Sequence, residues 1–300
     1  MSEPLQPRAS SYPESGVGTA RLDRHDALFP AELSELGKTV PTHLWTRGSL
    51  DMLSVRPRVA IVGTRRATAY GLRVTRELGM AFARAGACVV SGLATGIDGA
   101  AHRGALEAGG TTIAVLGTGL DMVYPKSHRP LQHTIAERGL LLTELDPANH
   151  GMPFTFLERN RIIAALAKVT IVVEAPERSG ALDTADHALR LHRDLAAVPG
   201  PIDQPQSTGT NRLIQQGAHP ITSVEDALAL AGLTPPPRTP KGDPLGDEGR
   251  VWSALADGGL DLDSLCHRSG LPAALCLAAV TKLEIAGSIE CALTGEIRRR

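Results

Sequence analysis

Aromatic residues are scarce in this chain of 300 residues, of which they make up 3%. Its core must therefore rely on Val, Ile, Leu and Ala. No apolar run reaches the roughly 18 residues that a membrane-spanning helix needs. Residues 1–16 contain no basic stretch followed by an apolar one, as a secretion signal would. These absences lead us to expect a cytoplasmic protein that makes no contact with membranes.

Metal-binding and catalytic patterns are also missing. The four cysteines, which we expect to be reduced, show no CxxC spacing, and the ten histidines are scattered. The sequence has no GxxxxGK(S/T) loop, no GxGxxG after its first buried strand, no GxSxG and no HExxH. We therefore expect no metal, no cofactor, no catalytic residues and no ATP hydrolysis.

Residues 59–231 show a regular alternation of strand-like and helix-like segments. Short β-branched runs such as VAIVG, starting at Val59, and VTIVVEA, starting at Val169, are bounded by turn residues, as strands buried on both faces are. Segments with apolar residues at helical spacing separate these runs. This order predicts an α/β domain, in which a parallel sheet carries helices on both faces.

The segments on either side of this domain have a different composition. Residues 1–20 are rich in Ser, Pro and Glu and are expected to be disordered. Residues 21–58 hold scattered apolar positions and predict a short helical lead-in packed on the sheet domain. Residues 232–249 are rich in Pro and Gly, as extended linkers are. Residues 250–300 show three helical patterns and a hairpin pattern, which predict a small winged-helix domain.

Glycine-rich turns follow three of the predicted strands, at the edge of the sheet where parallel α/β proteins bind ligands. Glycines let backbone N–H groups approach a phosphate, and an arginine adds a full charge. Because the formal net charge of the chain is −1, an anionic ligand has to be held by such a local cluster. The candidates for this anion site are Gly63, Thr64 and Arg65, then Ser91, Gly92 and Gly96, and finally Gly117 and Gly119.

A further candidate segment places two of the four phenylalanines, Phe154 and Phe156, just before Arg159, Asn160 and Arg161. Unpaired nucleic acid needs this combination, since rings stack on its bases and guanidinium groups hold its phosphates. An aromatic contact at the start of a helix, with surface arginines capping that helix, explains the same residues. The residues alone leave both interpretations open.

Six ordered stretches between residues 59 and 227 carry a family resemblance. They are VAIVGTRRATAYG, SGLATGIDGAAH, GGTTIAVLGTGLDMVYPKSH, RNRIIAALA, VVEAPERSGALDTA and AVPGPIDQPQSTGTNRLIQQGA. In this order they resemble the DNA-processing protein A family (DprA, also called Smf). The resemblance implies an extended Rossmann-like domain that binds single-stranded DNA as a homodimer. It also implies that the protein loads the RecA recombinase onto incoming DNA in natural transformation, without hydrolysing ATP.

The family's motifs, matched position by position, imply roles for individual residues. The three glycine-rich turns become loops that grip phosphate, and Phe156 matches an aromatic residue that stacks on a base. The run Arg159–Arg161 matches the polar segment behind that aromatic, and Ser179 and Gly180 match a turn that closes the pocket.

The sequence departs from the family pattern at three places. Leu157 stands where the family usually has Pro. Asp183 occupies a position that is usually aliphatic, and its carboxylate would weaken an anion site if it pointed inward. A basic residue that the family often has shortly before the aromatic is missing between His150 and Thr155.

An enzyme hypothesis competes with the binding hypothesis. Phosphoribohydrolases that cleave nucleoside monophosphates have a related sheet, but they carry a Gly-Gly turn followed by Thr and Glu near the fifth strand. Here the stretch SGALDTAD, starting at Ser179, lacks the double glycine. Release of free base from a nucleoside monophosphate would distinguish the two.

The predicted winged-helix domain is a poor candidate for reading DNA. Residues 245–300 hold six Lys and Arg against eight Asp and Glu, and the presumed recognition helix offers only Lys282. A helix in the major groove needs phosphate contacts around it. We therefore expect this domain to contact a protein or to regulate the first domain.

Overall fold

The computed structural model describes residues 18–234, 245–285, 287–292 and 295–299. The chain divides into two compact units, Met1–Pro236 and Pro237–Arg300. Most of the predicted disordered N-terminus and most of the predicted linker lie outside the described residues. Of the helices in the described ranges, none has the length and apolar character of a membrane span.

A nine-stranded sheet forms the centre of the first unit, with the order β1-β2-β6-β5-β4-β3-β7-β8-β9. The seven strands from β6 to β9 in this order run parallel, which confirms the predicted parallel sheet. The strands in chain order are β1 (Thr19–Asp23), β2 (His43–Gly48), β3 (Arg58–Val62), β4 (Cys88–Ser91), β5 (Thr111–Val115), β6 (Leu140–Thr143), β7 (Val169–Val172), β8 (Asp194–Ala197) and β9 (His219–Pro220).

Helices cover both faces of this sheet, as the alternating pattern predicts. The helices of the first unit are α1 (Ala69–Arg84), α2 (Ile97–Glu107), α3 (Arg129–Arg138), α4 (Pro153–Glu158), α5 (Asn160–Leu166), α6 (Gly180–Arg190), α7 (Thr208–Gln215) and α8 (Val224–Leu230). Val59 and Ile61 of β3 face the layer that contains α1, α2 and α8. Ala60 and Val62 face the layer of α5, α6 and α7. Both faces of β3 are therefore buried, which explains its continuous apolar sequence.

The lead-in segment differs from its prediction. Two of its stretches are strands, because β2 pairs antiparallel with β6 and β1 pairs antiparallel with β2. Short 3-10 helices, Ala31–Thr39 and Leu50–Leu53, follow the strands. The segment therefore extends the sheet instead of only packing on it. Strand β1 also takes in Thr19 and Ala20, which we expected within the disordered N-terminus.

The second unit has the three helices and the hairpin that its sequence predicts. Its elements are α9 (Gly246–Ala254), α10 (Leu262–Ser269), α11 (Ala273–Ile285), β10 (Ile289–Cys291) and β11 (Ile297–Arg299). Strands β10 and β11 pair antiparallel. Gly270 ends α10 with a left-handed φ of +67°, a conformation that glycine adopts without strain. Helix α9 begins at Gly246, so residues 246–249 are helical and do not belong to an extended linker.

Candidate functional site

The topology of the sheet selects one crevice for a ligand. Strand β3 lies between β4 and β7. The chain places β4, β5 and β6 on one side of β3, and then β7, β8 and β9 on its other side. Parallel α/β sheets bind ligands at such a switch point, beyond the carboxyl ends of the strands. A cavity of about 400 Å³ lies at this position, lined by residues of the loops after β3 and β7 and by α4. We refer to this cavity as the crevice.

The loop after β3 needs glycine because other elements approach it closely. A Cβ on Gly63 would lie 2.5 Å from Cγ1 of Ile97 and 2.8 Å from the carbonyl oxygen of Glu174. Thr64 is buried, and its N–H donates to that same carbonyl at 2.7 Å. Arg65, in contrast, is exposed, and its guanidinium carbon lies 5.8 Å from the ring centre of Phe156. The predicted residues Gly63, Thr64 and Arg65 therefore all belong to the crevice.

The loop after β4 packs against the loop after β3 and so supports the crevice. Gly96 has φ +77°, and a Cβ there would lie 2.3 Å from the carbonyl oxygen of Thr64. The buried hydroxyl of Ser91 donates to the carbonyl of Ile61 at 2.6 Å, so it ties β4 to β3. The carboxylate of Asp98 accepts the N–H groups of Gly92 and Ala94, at 3.2 and 3.3 Å. Burial raises the pKa of Asp98, and the charge of Arg159 acts in the opposite direction.

Backbone N–H groups are thus less available to a phosphate than the glycine-rich turns suggest. The N–H groups of Thr64, Gly92 and Ala94 already donate within the protein, and that of Arg66 donates to Oγ1 of Thr64 at 3.2 Å. Charge at the crevice comes instead from three exposed arginines, Arg65, Arg66 and Arg178. Within the described part of the chain, none of these three guanidinium groups forms an ion pair.

The loop after β5 does not line the crevice. A Cβ on Gly117 would lie 2.6 Å from Cδ1 of Phe156, so this glycine leaves room for the ring. A Cβ on Gly119 would lie 2.1 Å from the carbonyl oxygen of Asp146. Gly119 therefore allows the loop after β6 to pack closely. Both glycines shape the surroundings of the predicted site, and neither belongs to its wall.

Phe156 lies at the mouth of the crevice on α4, half-buried. The hydroxyl of Thr155 donates to the carbonyl of Gly117 at 2.7 Å and fixes this helix against the loop after β5. The ring of Tyr124 lies 4.9 Å from that of Phe156, at 50° to it, and Tyr124 is 51% exposed. Tyr124 was not predicted as a site residue. Its position just after the third glycine-rich turn, in a chain poor in aromatics, was the available signal.

The polar run Arg159–Arg161 is committed to contacts within the protein. Arg159 is 5% exposed and donates to the carbonyl oxygens of Gly92, at 2.8 Å, and Val115. Burial lowers the pKa of Arg159 to about 10, although the charge of Asp98 raises it, so the group stays protonated at neutral pH. Arg159 thus lines the crevice and positions the loops after β4 and β5.

The side chains of the other two residues of the run bind different partners. The amide of Asn160 donates to the carbonyl of Gly180 and to the carboxylate of Asp183, both at 3.1 Å. Arg161 makes a bidentate ion pair with Glu144, with both distances 2.6 Å, and does not line the crevice. Asn160 therefore positions the turn at Gly180, and the structure does not bring Arg161 to the predicted site.

The turn before α6 forms part of the lining of the crevice. Ser179 and Gly180 line it, and the hydroxyl of Ser179 accepts the N–H of Ala181 at 3.3 Å as the cap of α6. Asp183 does not point into the crevice, because its carboxylate binds Asn160 and lies 3.7 Å from Nε2 of His187. Leu157 is 49% exposed at the rim. The residue that sequence reasoning missed here is Arg178, which precedes the turn.

One carboxylate near the crevice, that of Glu174, is committed to contacts within the protein. Glu174, at the end of β7, is buried, and its two oxygens accept the N–H and the hydroxyl of Thr68. It binds Thr68, the cap residue of α1, and so stabilises the start of that helix. Among the described residues, no group of three His, Cys, Asp or Glu side chains could hold a metal ion.

The second unit presents little positive charge on its third helix. Lys282, the one basic residue of α11, donates to Glu248 at 2.8 Å. Leu275 and Leu277 of the same helix are about half exposed, at 48% and 51%. The exposed side of α11 is therefore mainly apolar.

The fold places the chain among the α/β proteins whose parallel sheet has a ligand crevice at its switch point. Residues 21–232 match the family model of the DNA recombination-mediator protein A, and residues 234–292 match that of the DprA winged helix domain. The chain therefore belongs to the DNA recombination-mediator protein A (DprA) family, as its motifs suggest.

Similar proteins come from several bacteria. The putative DNA processing protein DprA of Mycobacterium tuberculosis is 43% identical over 261 residues, which cover 84% of this chain and 67% of that protein. The DNA processing protein DprA of Streptococcus pneumoniae is 44% identical over 204 residues, covering 68% of this chain and 71% of that protein.

Two solved structures share the fold of the first unit. The X-ray structure of Streptococcus pneumoniae DprA matches with a TM-score of 0.67 and 42% identity, over 70% of this chain and 73% of that one. Helicobacter pylori DNA processing protein A matches with a TM-score of 0.65 and 31% identity, over 72% of this chain and 97% of that one. The latter structure was solved to describe a single-stranded DNA binding mode.

Proposed function

We propose that the crevice binds single-stranded DNA, with Arg65, Arg66 and Arg178 holding phosphates and Phe156 stacking on a base. The observation that carries this proposal is the pairing of Arg65 with the half-buried Phe156 ring, at 5.8 Å, at the mouth of the crevice. Unpaired nucleic acid is bound by this combination of exposed guanidinium groups and an aromatic ring. The single-stranded DNA binding mode of the Helicobacter pylori relative supports the same ligand.

The wider role follows from the family. We propose that the protein protects incoming or exposed single strands and helps load the RecA recombinase onto them in natural transformation and recombination. It acts in the cytoplasm as a homodimer and is not an enzyme, so it hydrolyses neither ATP nor a nucleotide. The family description as a recombination mediator supports this role. A dimer would present two crevices to one strand and raise the overall affinity.

The proposal is tested by fluorescence anisotropy of a labelled oligo-dT over a series of salt concentrations. Arg65→Ala is expected to weaken binding and to reduce the slope of log K against log salt by about 0.7, the value for one phosphate contact on a single strand. Phe156→Ala is expected to weaken binding by about 1–3 kcal/mol without changing this slope.

The matched control is Arg84→Ala, which removes another exposed charge, at the far end of α1. Its binding is expected to equal that of the unmodified protein. Unchanged binding in the Arg65 and Phe156 variants would place the DNA elsewhere. Release of free base from a nucleoside monophosphate, which we do not expect, would support the phosphoribohydrolase hypothesis instead.

A further inference from the structure

Three aromatic rings of the first unit each carry a guanidinium group over one face, and Trp252 of the second unit carries that of Arg299. Arg65 lies 5.8 Å from the ring centre of Phe156, and Arg73 lies 5.7 Å from that of Tyr70. On the other side of the crevice, Arg21 lies 5.9 Å from Trp45. In a sequence with nine aromatic residues, three such pairs are a large share. Two of these pairs, those of Tyr70 and Trp45, do not line the crevice, so the proposed binding site does not account for them.

All three pairs lie at the carboxyl ends of the parallel strands. Tyr70 is in the first turn of α1, and its hydroxyl donates to the carbonyl of Pro199, just after β8, at 3.3 Å. Trp45 pairs with Thr143, the last residue of β6, and its Nε1 donates to the carboxylate of Asp146 at 3.3 Å.

The crevice lies between these two outer pairs. Phe156 packs on Gly117, and Gly119 of the same loop packs on the backbone of Asp146, next to Trp45. Strand β2, which carries Trp45, is two positions from β5 in the sheet, or about 10 Å at the usual strand spacing. The rings therefore follow the edge of the sheet in the order Tyr70, Phe156, Trp45.

We propose that the bound single strand continues beyond the crevice in both directions along this edge, with Tyr70 and Trp45 as two further positions where bases stack. This inference rests on the proposed function, because it extends the same binding site. We call the three ring–guanidinium pairs the edge track. Its ligand is an unpaired nucleic acid strand longer than the few nucleotides that the crevice holds.

The two outer positions differ in charge. Arg73 forms no ion pair within the described ranges, so the Tyr70 position combines stacking with phosphate attraction. At the Trp45 position, Arg21 pairs with Asp23 at 3.0 Å, and the carboxylate of Asp146 lies beside the ring. Binding at Trp45 therefore depends on stacking, and the nearby carboxylates oppose the phosphates.

The fluorescence of Trp45 reports whether a base stacks at its position on the edge track, so this side chain does not have to be substituted. The described residues and the full sequence contain one other tryptophan, Trp252, in the second unit. In a Trp252→Phe background, Trp45 is the sole indole, and a base stacked on it quenches its fluorescence. Anisotropy of a labelled oligo-dT measures binding in the same sample. Two lengths are compared, about 4 and about 15 nucleotides, which bracket the usual site sizes for such proteins.

We expect both lengths to bind and only the longer one to quench Trp45. Tyr70→Ala is expected to weaken binding of the longer oligonucleotide about 5-fold or more and to leave binding of the shorter one unchanged. Asp146→Asn keeps an acceptor for the indole N–H of Trp45 and removes a negative charge, so the longer oligonucleotide should bind more tightly. Arg84→Ala, at the opposite edge of the sheet, is the control and should change neither.

Two results would overturn the edge track, and they are distinguishable. If the longer oligonucleotide binds and Phe156→Ala weakens it, but Trp45 is not quenched and Tyr70→Ala has no effect, the track is wrong while the crevice remains the site. If neither oligonucleotide binds the unmodified protein, the proposed function itself is wrong, and the track with it.

Discussion

Two arginines of the site, Arg65 and Arg159, show how much the surroundings of a residue decide what it does. Arg65 is exposed beside Phe156, whereas Arg159, three residues after Phe156, is buried and donates to two carbonyl oxygens. Only the first can meet a phosphate without rearrangement. The second holds the ends of β4 and β5 together.

We predict that Arg159→Met destabilises the protein by about 3 kcal/mol, because it leaves buried carbonyl groups and the carboxylate of Asp98 without their cationic partner. Oligonucleotide binding should weaken as well, since Phe156 loses its support. Urea denaturation and anisotropy measure the two effects.

Arg161→Met is the matched control for this substitution, because it removes the same group two positions further along. Its ion pair with Glu144 is nearer the surface, and we expect a loss of about 1 kcal/mol with little change in binding. Equal losses of stability in both variants would contradict the positioning role of Arg159.

At the scale of elements, an ion pair with a buried arginine joins the first 3-10 helix of the lead-in to β3. Arg58, the first residue of β3, is fully buried, and its guanidinium group lies 2.6 Å from the carboxylate of Glu32 in the first 3-10 helix. Arg58 also donates to the carbonyl oxygens of Leu166 and Leu53, at 2.7 and 2.9 Å. These contacts join the lead-in to β3 and α5.

We predict that Glu32→Gln lowers the free energy of unfolding at neutral pH by on the order of 3 kcal/mol, because it leaves the charge of Arg58 buried without a counter-charge. Burial raises the pKa of Glu32, but a backbone hydrogen bond and the charges of Arg58 and Arg56 outweigh it, so its pKa lies below the usual 4.5. The contribution of the Glu32 charge to the free energy of unfolding is therefore complete above pH 4.5. It is lost as the pH falls through the lowered pKa of Glu32.

The measurement is denaturation by urea at neutral pH and in acid, and the difference between the two proteins should shrink in acid. Glu107→Gln is the control, because its pair with Arg76 is largely exposed and should contribute less than about 1 kcal/mol. A difference that persists unchanged below the lowered pKa would mean that Glu32 acts through packing and not through its charge.

The sequence predicts those elements whose environment is uniform along the segment. Every residue of β3 is buried, so its apolar run is recognisable. Strand β2 was missed because its pairing partner, β6, lies about ninety residues away and no local pattern shows it. The buried contacts of Arg159 were not visible in the sequence for the same reason, since its acceptors follow β4 and end β5, far from it in sequence.

The whole molecule carries a formal net charge of −1, yet three arginines without ion pairs among the described residues surround the crevice. Attraction for the proposed DNA ligand is therefore expected to be local, with little contribution from the second unit. Lys282 of α11 is already paired with Glu248, and the exposed leucines beside it suit contact with a protein better than contact with phosphates.

This distribution of charge predicts the salt dependence of binding. For a short oligo-dT that occupies the crevice alone, three phosphate contacts at about 0.7 each give a slope of log K against log salt of about −2. Changing Arg65, Arg66 and Arg178 together to Ala should bring the slope close to zero. Lys282→Ala should leave it unchanged, and a loss of slope in that variant would show that the winged helix holds the strand instead. Because each slope counts the phosphates held, this one series of titrations shows which unit of the molecule holds the DNA.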